Sequence, residues 1–307
     1  MKPPRICQDF FCGFFLFSLP LPRVDKPAAA AVYWGKSIVC RFVPVFIKGV
    51  FRMSVYSIHF SPTGGTRAVM QQLCAAWSQV TEIDLTRADH DYARYTFTAQ
   101  DLCLVGVPSY GGLVPPLALQ RLDAMRANGT PAVLVAVYGN REIEDTLTEL
   151  EAHLLAAGFT VLAGVKAVAQ HSLIPNVAVG RPDTEDIAQL REFSAALKAA
   201  AEAGAPTAPA LPGNRPAKEP KPGGMVPALL HPEACTHCGL CAARCPAQAI
   251  ALQPAGPVMD GGKCAHCMRC TGICPVGALG IDPATLAAVS ARLAPLFAGR
   301  KLNELYL

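Results

Sequence analysis

From residue 53 onward, short runs of aliphatic and β-branched residues alternate with longer stretches whose apolar positions recur every three to four residues. The short runs fall at 55–60, 80–85, 102–107, 132–138 and 160–169, and the helical stretches at 66–77, 117–127, 142–157 and 184–203. The runs are apolar almost throughout, with little polar alternation. That marks strands buried on both faces, in a parallel sheet with helices on either side. The pattern predicts a doubly wound α/β domain with a five-stranded parallel sheet over 53–204. Residues 87–100 show no clear helical face where the second crossover helix is due, so a short helix or a loop is expected there.

The periodicity stops at 205–224, APTAPALPGNRPAKEPKPGG, which holds too much Pro, Ala and Gly to pack as a domain. Fully extended at roughly 3.1 Å per residue it would reach about 60 Å. It is expected either as such a tether or bound along a surface. Beyond it one spacing occurs twice: Cys235, Cys238, Cys241, Cys245 with Pro246, then Cys264, Cys267, Cys270, Cys274 with Pro275. Both copies read C-x-x-C-x-x-C-x-x-x-C-P, and the flanking text repeats as well, which implies two like halves related by a pseudo-twofold. Structural zinc also uses C-x-x-C pairs. A zinc ribbon, however, does not need a third cysteine at this offset followed by Cys-Pro, still less twice.

The repeated spacing resembles that of bacterial ferredoxins, which hold two 4Fe-4S clusters. The resemblance implies interlocked ligand sets, since three thiolates of one loop serve one cluster and the fourth cysteine serves the other. One cluster would take Cys235, Cys238, Cys241 and Cys274, and the other Cys264, Cys267, Cys270 and Cys245. His237 and His266, inside the loops, are expected to surround the clusters and not to ligate them, four thiolates being a full set. The ferredoxin-like domain is placed at 225–283. Asp282-Pro283 reads as an N-cap and first-turn proline opening a short helix, with a tail over 284–307.

Composition fits this division. Hydrophobic residues make up 51% and charged ones 16% of 307 residues, ample for a buried core. Five of the 13 cysteines lie outside the repeats. Of these, Cys74 and Cys103 fall in apolar patterns as buried thiols, and a reducing, cytoplasmic setting suits this usage better than a disulfide framework. The net charge is +4, but residues 1–52 hold eight Lys or Arg against two Asp, leaving the remainder acidic. No basic, aromatic-interleaved patch argues for nucleic acid. The apolar run 10–21 is too short to span a bilayer and ends at Pro20 and Pro22, so a membrane role is not expected. Residues 1–52 read as a mis-assigned start, with translation beginning at Met53, or as a leader, and as unstructured.

The loop after the first strand, Ser61-Pro62-Thr63-Gly64-Gly65-Thr66, runs straight into the first helix. Three hydroxyls and two glycines at a helix N-terminus can wrap a phosphate. No Lys follows the glycines, which excludes a Walker loop, and the G-x-G-x-x-G of dinucleotide folds is absent. In isolation the segment would read as a helix-capping turn; its place after the first strand favours the phosphate.

This loop resembles the FMN-phosphate loop of flavodoxins, and two further loops extend the resemblance. These are Pro108-Ser109-Tyr110-Gly111-Gly112 after the third strand and Tyr138-Gly139-Asn140-Arg141 after the fourth. They stand where flavodoxins grip the isoalloxazine ring, at the carboxyl ends of the strands. With the cysteines, the stretch 53–282 is similar to the fused flavodoxin-ferredoxin family sometimes called ferrodoxins.

The resemblance implies FMN held by Ser61, Thr63, Gly64, Gly65 and Thr66 at its phosphate. Pro108, Ser109, Tyr110, Gly111, Gly112, Tyr138, Gly139 and Asn140 would lie about its ring. Either Tyr110 or Tyr138 could stack on the flavin, or Tyr138 could complete the buried strand. Arg141 could face the ring or pair with Glu144 or Asp145. His59 and His171 are lone and read as structural. The function implied is electron transfer between the two clusters and FMN, with a redox protein as partner. Two alternatives stand beside it: an FMN-dependent reductase of a small acceptor fed by an external donor, and a ferredoxin carrier whose α/β domain binds no flavin and serves for docking.

Overall fold

A computed structural model describes residues 53–204, 208–220 and 223–307. The readings made for 1–52 lie outside the described residues. All described residues belong to one compact unit, Gly49–Leu307.

Strands β1 (Ser54–His59), β2 (Thr81–Asp84), β3 (Asp101–Pro108), β4 (Thr130–Tyr138) and β5 (Phe159–Val168) pair in parallel in the order 2-1-3-4-5. That is the flavodoxin-like doubly wound order. Helices α1 (Gly65–Leu73), α2 (Pro116–Leu122), α3 (Thr146–Ala156) and α4 (Thr184–Ala203) form the crossovers and the cover. The strands feed two hydrophobic cores by alternation. In β4, Ala132, Leu134, Ala136 and Tyr138 enter one core, while Val133, Val135 and Val137 enter the other. Burial on both faces is the reason these strands read as unbroken apolar runs. Between β2 and β3 no helix forms. The segment is pinned instead by Tyr92 and Phe97, both buried, and by a two-residue strand Thr96–Phe97 paired with Arg126–Ala127.

The stretch after α4 is bound along the surface, so no free tether forms over its described part. Leu211 is buried in the first core. The Asp145 carboxylate accepts from the N–H groups of Asn214 and Lys218, each at 2.9 Å, and Arg215 pairs with Glu151 at 2.6 Å. The cysteine-rich half then follows. It comprises α5 (Leu240–Ala243), a hairpin of β6 (Ile250–Gln253) and β7 (Gly256–Met259), and α6 (Arg269–Ile273).

The sequence repeat is visible in this backbone. His237 and His266 both take left-handed φ, at 53° and 50°, as do Gly239 and Met268 at 72° and 60°. Ala249 N–H donates to Cys245 Sγ and Ala278 N–H to Cys274 Sγ, both at 3.3 Å.

The chain then returns to where it started. Asp282 caps α7 (Pro283–Leu293), accepting from Thr285 N–H at 2.8 Å. The last residues form β8 (Glu304–Tyr306), antiparallel to β5, so the sheet has six strands where the sequence predicted five. Among the described residues no helix is long and apolar enough to cross a membrane.

Candidate redox site

In the structure each cysteine loop contributes its fourth cysteine to the other loop's cavity. One small cavity is lined by Cys235, Cys238, Cys241 and Cys274, and a second by Cys245, Cys264, Cys267 and Cys270. Electrostatic neighbours divide the same way. Cys241 feels Cys238 and Cys274, whereas Cys270 feels Cys267, Cys245 and Cys264. Burial pushes the Cys267 thiol up to about 11, and burial with those neighbouring thiols pushes Cys270 up to about 12. Binding to iron must therefore displace their protons.

Among the described residues, no three His, Cys, Asp or Glu side chains converge closely enough for one metal ion. The sulfurs stand around the walls of a cavity instead. This suits a multi-iron cube, whereas a tetrahedral zinc needs four sulfurs about 2.3 Å from one point. The donor set, all thiol and four to a cavity, fits a 4Fe-4S cluster at each.

The second cavity is the one turned toward the α/β half. Arg121 is buried. Its guanidinium donates to the carbonyl of Leu85 and, at 2.5 Å, to that of Pro246, next to Cys245. Arg269, between Cys267 and Cys270, donates from Nη1 to the Pro62 carbonyl at 2.9 Å. Burial pushes the Tyr110 hydroxyl well above its ordinary value, with a smaller electrostatic contribution from Cys267. Sequence reasoning missed Arg121 and Arg269, because the contacts that join the halves go to the Pro246 and Pro62 backbone carbonyls, each more than 100 residues away, and such contacts leave no motif.

At the head of α1, loop 61–66 has the form of an anion cradle. Ser61 Oγ accepts from Arg67 N–H at 2.8 Å, and Ala68 N–H goes to the Gly64 carbonyl at 3.0 Å. The N–H groups of Gly65 and Thr66, at the start of the helix, have no intrahelical acceptor. Gly64 takes φ of 93° with open space where a Cβ would be, and Thr63 and Gly64 face solvent. Ser61 and Thr66 are buried.

The other two predicted loops meet each other but divide in role. In loop 108–112 the Tyr110 and Leu113 backbones bond reciprocally, at 2.8 and 3.2 Å, and Ser109 N–H reaches the Val137 carbonyl at 2.8 Å. Gly112 is required because its φ is 84° and a Cβ would meet the Glu144 carboxylate at 2.5 Å. Gly139 is equally confined, since a Cβ there would strike the His171 ring at 2.6 Å.

The C-terminal tail occupies both Tyr138 and Asn140, and Tyr138 takes the second of the two roles the sequence left open to it, completing the buried strand. Tyr138 is buried in the core, and its hydroxyl donates to the Leu302 carbonyl at 3.1 Å. Asn140 donates to the carbonyls of Phe297 and Gly299 at 2.8 and 2.9 Å, and accepts from Lys301 N–H. Neither is left to face a ring. Of the two candidate tyrosines, Tyr110 is thus the one not claimed by the tail. Arg141 pairs with Glu144. His59 and His171 are held below their ordinary values chiefly by burial, as structural imidazoles are.

Residues 234–278 match the family model described as a 4Fe-4S dicluster domain. No curated protein matches the chain. Among solved structures, the chain is similar to a flavodoxin of Streptococcus pneumonia TIGR4, with 20% identity and a TM-score of 0.34. That match covers 48% of this chain and 99% of the other. Oxidised Flavodoxin 2 from Bacillus cereus gives 16% identity and a TM-score of 0.35 over 48% and 99%. Rubredoxin oxygen:oxidoreductase from Desulfovibrio gigas gives 17% and 0.35 over 48% and 37%. The strand order and the dicluster match together describe a flavodoxin-like α/β sheet joined to a 4Fe-4S dicluster domain.

Proposed function

We propose that this protein transfers electrons between two 4Fe-4S clusters and an FMN held at the carboxyl ends of β1 and β3. One observation carries the reading. The cysteine loop of the second cavity reaches the loop that would hold the phosphate, Arg269 Nη1 donating to the Pro62 carbonyl at 2.9 Å, and Cys267 stands within electrostatic range of Tyr110 on the loop that would border the ring. A cluster supplies single electrons and a flavin accepts one or two, so a fixed junction between them converts one kind of traffic into the other.

In this reading Cys235, Cys238, Cys241 and Cys274 ligate one cluster, and Cys245, Cys264, Cys267 and Cys270 the other. Ser61, Thr63, Gly64, Gly65 and Thr66 hold the phosphate, and Pro108, Ser109, Tyr110, Gly111 and Gly112 border the ring. Of the ligands of the second cluster Cys267 is buried and Cys245, Cys264 and Cys270 are half-buried.

Electrons exchange with a redox protein at the first cluster. Cys238 is exposed there, and Leu252 and Val276, which line that cavity, are 55% and 43% exposed. A small apolar rim around a partly exposed redox centre suits transient docking. Ten unpaired cysteines among the described residues suit a reducing compartment such as the cytoplasm. The test is anaerobic purification with iron, sulfide and acid-released flavin counted per chain. About eight irons and one FMN are expected from two four-iron clusters. Eight irons with no flavin, even after FMN is added back, would leave a ferredoxin docked on a silent α/β body.

A further inference from the structure

Loop 61–66 has no cation of its own to meet a dianionic phosphate. Arg67, the nearest in sequence, is turned outward into a bidentate pair with Glu82, at 2.7 and 3.0 Å. The guanidinium that does reach the loop comes from the other half of the molecule. Arg269 Nη1 donates to the Pro62 carbonyl at 2.9 Å, while its Nε is buried with no acceptor among the described residues. An orphaned, buried N–H on a charged group is costly, and such groups are normally satisfied by a partner. Arginine presents five donors in a rigid planar fork, which matches phosphate oxygens. The same side chain lines the cavity bounded by Cys245, Cys264, Cys267 and Cys270.

We propose that Arg269 completes the phosphate site, so that the cysteine loop of the second cluster supplies the cation that the flavodoxin-like half lacks. The inference rests on the FMN reading given above and adds a consequence to it. Tight FMN binding requires the second cysteine loop to be folded, and by reciprocity FMN favours that folded loop.

The test uses the full chain, loaded with iron anaerobically, and measures flavin affinity by quenching of free-flavin fluorescence. FMN is compared with riboflavin, which has the ring without the phosphate. Arg269→Gln is expected to weaken FMN about tenfold or more, the effect of losing one charge-assisted hydrogen bond. Riboflavin affinity should stay within about twofold, since the ring loops are untouched. Arg269→Lys, which keeps the charge and loses the fork, should fall between wild type and Arg269→Gln for FMN.

Equal losses on FMN and riboflavin, or no loss on either, would overturn the role of Arg269 and leave the FMN reading standing. A wild-type protein that binds neither flavin overturns the FMN reading itself, and this inference with it. Iron is counted on every variant. Should Arg269→Gln lose its clusters, iron-loaded Arg269→Lys decides: a loss confined to FMN supports the assignment, and equal or absent losses overturn it.

Discussion

Asn303 shows how a single amide can hold two parts of the chain together. It is 3% exposed; its Oδ1 accepts from Val168 N–H at 2.9 Å, and its Nδ2 donates to Asp186 at 3.0 Å and Gln189 at 2.9 Å. Asp186 in turn is paired with Arg181 in a buried contact. Removing the amide leaves the Val168 N–H at the end of β5 without its acceptor and takes one donor from the buried Asp186 Oδ1, which keeps Arg181 and Arg300. Asn303→Ala is therefore expected to cost about 2–4 kcal/mol, read from urea unfolding followed by circular dichroism. A loss below about 0.5 kcal/mol would mean that water replaces the amide and that the tail is only loosely seated. Tyr138 and Asn140 teach the complementary lesson. The sequence placed both about a flavin ring, with burial in the strand as the other reading of Tyr138, yet a tyrosine hydroxyl and an asparagine amide serve a passing carbonyl equally well, and the tail brings three of them.

The C-terminal segment extends this logic from one side chain to a strand and a loop. β8 closes the open edge of β5, with Leu305 opposite Val165, and Lys166 bridges Glu304 at 3.2 Å and Glu142 at 2.9 Å. Next to it Phe297 meets the His171 ring edge-on at 5.3 Å between centroids. His171 Nδ1 accepts from the N–H groups of Leu173 and Ile174, so the contact needs a neutral ring on that side. Burial first, then Arg141, pull its pKa from 6.5 down to about 4. Between these values the unfolded chain binds a proton that the folded protein refuses. Stability is thus fully present above about pH 6.5 and falls as pH drops toward about 4. The melting temperature of His171→Asn, measured beside wild type from pH 7 to pH 4, should show a shallower slope across that window. Parallel slopes would remove His171 as the cause.

At the scale of the whole molecule, the two halves are joined at both ends of the cysteine-rich segment and at two arginines between them. The chain leaves the sheet after α4, lies along Asp145 and Glu151, forms the cysteine loops, and returns as β8. Arg121 and Arg269 fix the second cavity between these ends. The crossed cysteine sets make this arrangement testable. Cys245→Ser lies in the first motif, yet it should deplete the cluster that abuts the flavin loops; Cys274→Ser, in the second motif, should deplete the outer one. Electron paramagnetic resonance of the reduced, iron-loaded variants checks this. The coupling between two neighbouring reduced clusters should vanish in both variants, and flavin binding should suffer in Cys245→Ser more than in Cys274→Ser. The reverse order would place the outer cluster beside the flavin.

Much of the fold was legible in the sequence because it depends on local pattern. Continuous apolar runs dictate strands buried on both faces, and Gly64 with its neighbouring hydroxyls dictates a turn into a helix. The repeated cysteine spacing likewise gives two four-thiol sets, since the distance a thiol can reach is set by the few residues around it. What stayed hidden depends on residues far apart in the chain meeting through groups that every sequence carries. A backbone carbonyl has no signature. The partners of Arg121, Arg269, Tyr138 and Asn140 could not be named before the chain was folded, nor could the sixth strand, whose three residues show no period. The cysteine spacing and the turn at 61–66 were written locally, whereas which cavity faces the α/β half was settled by long-range packing.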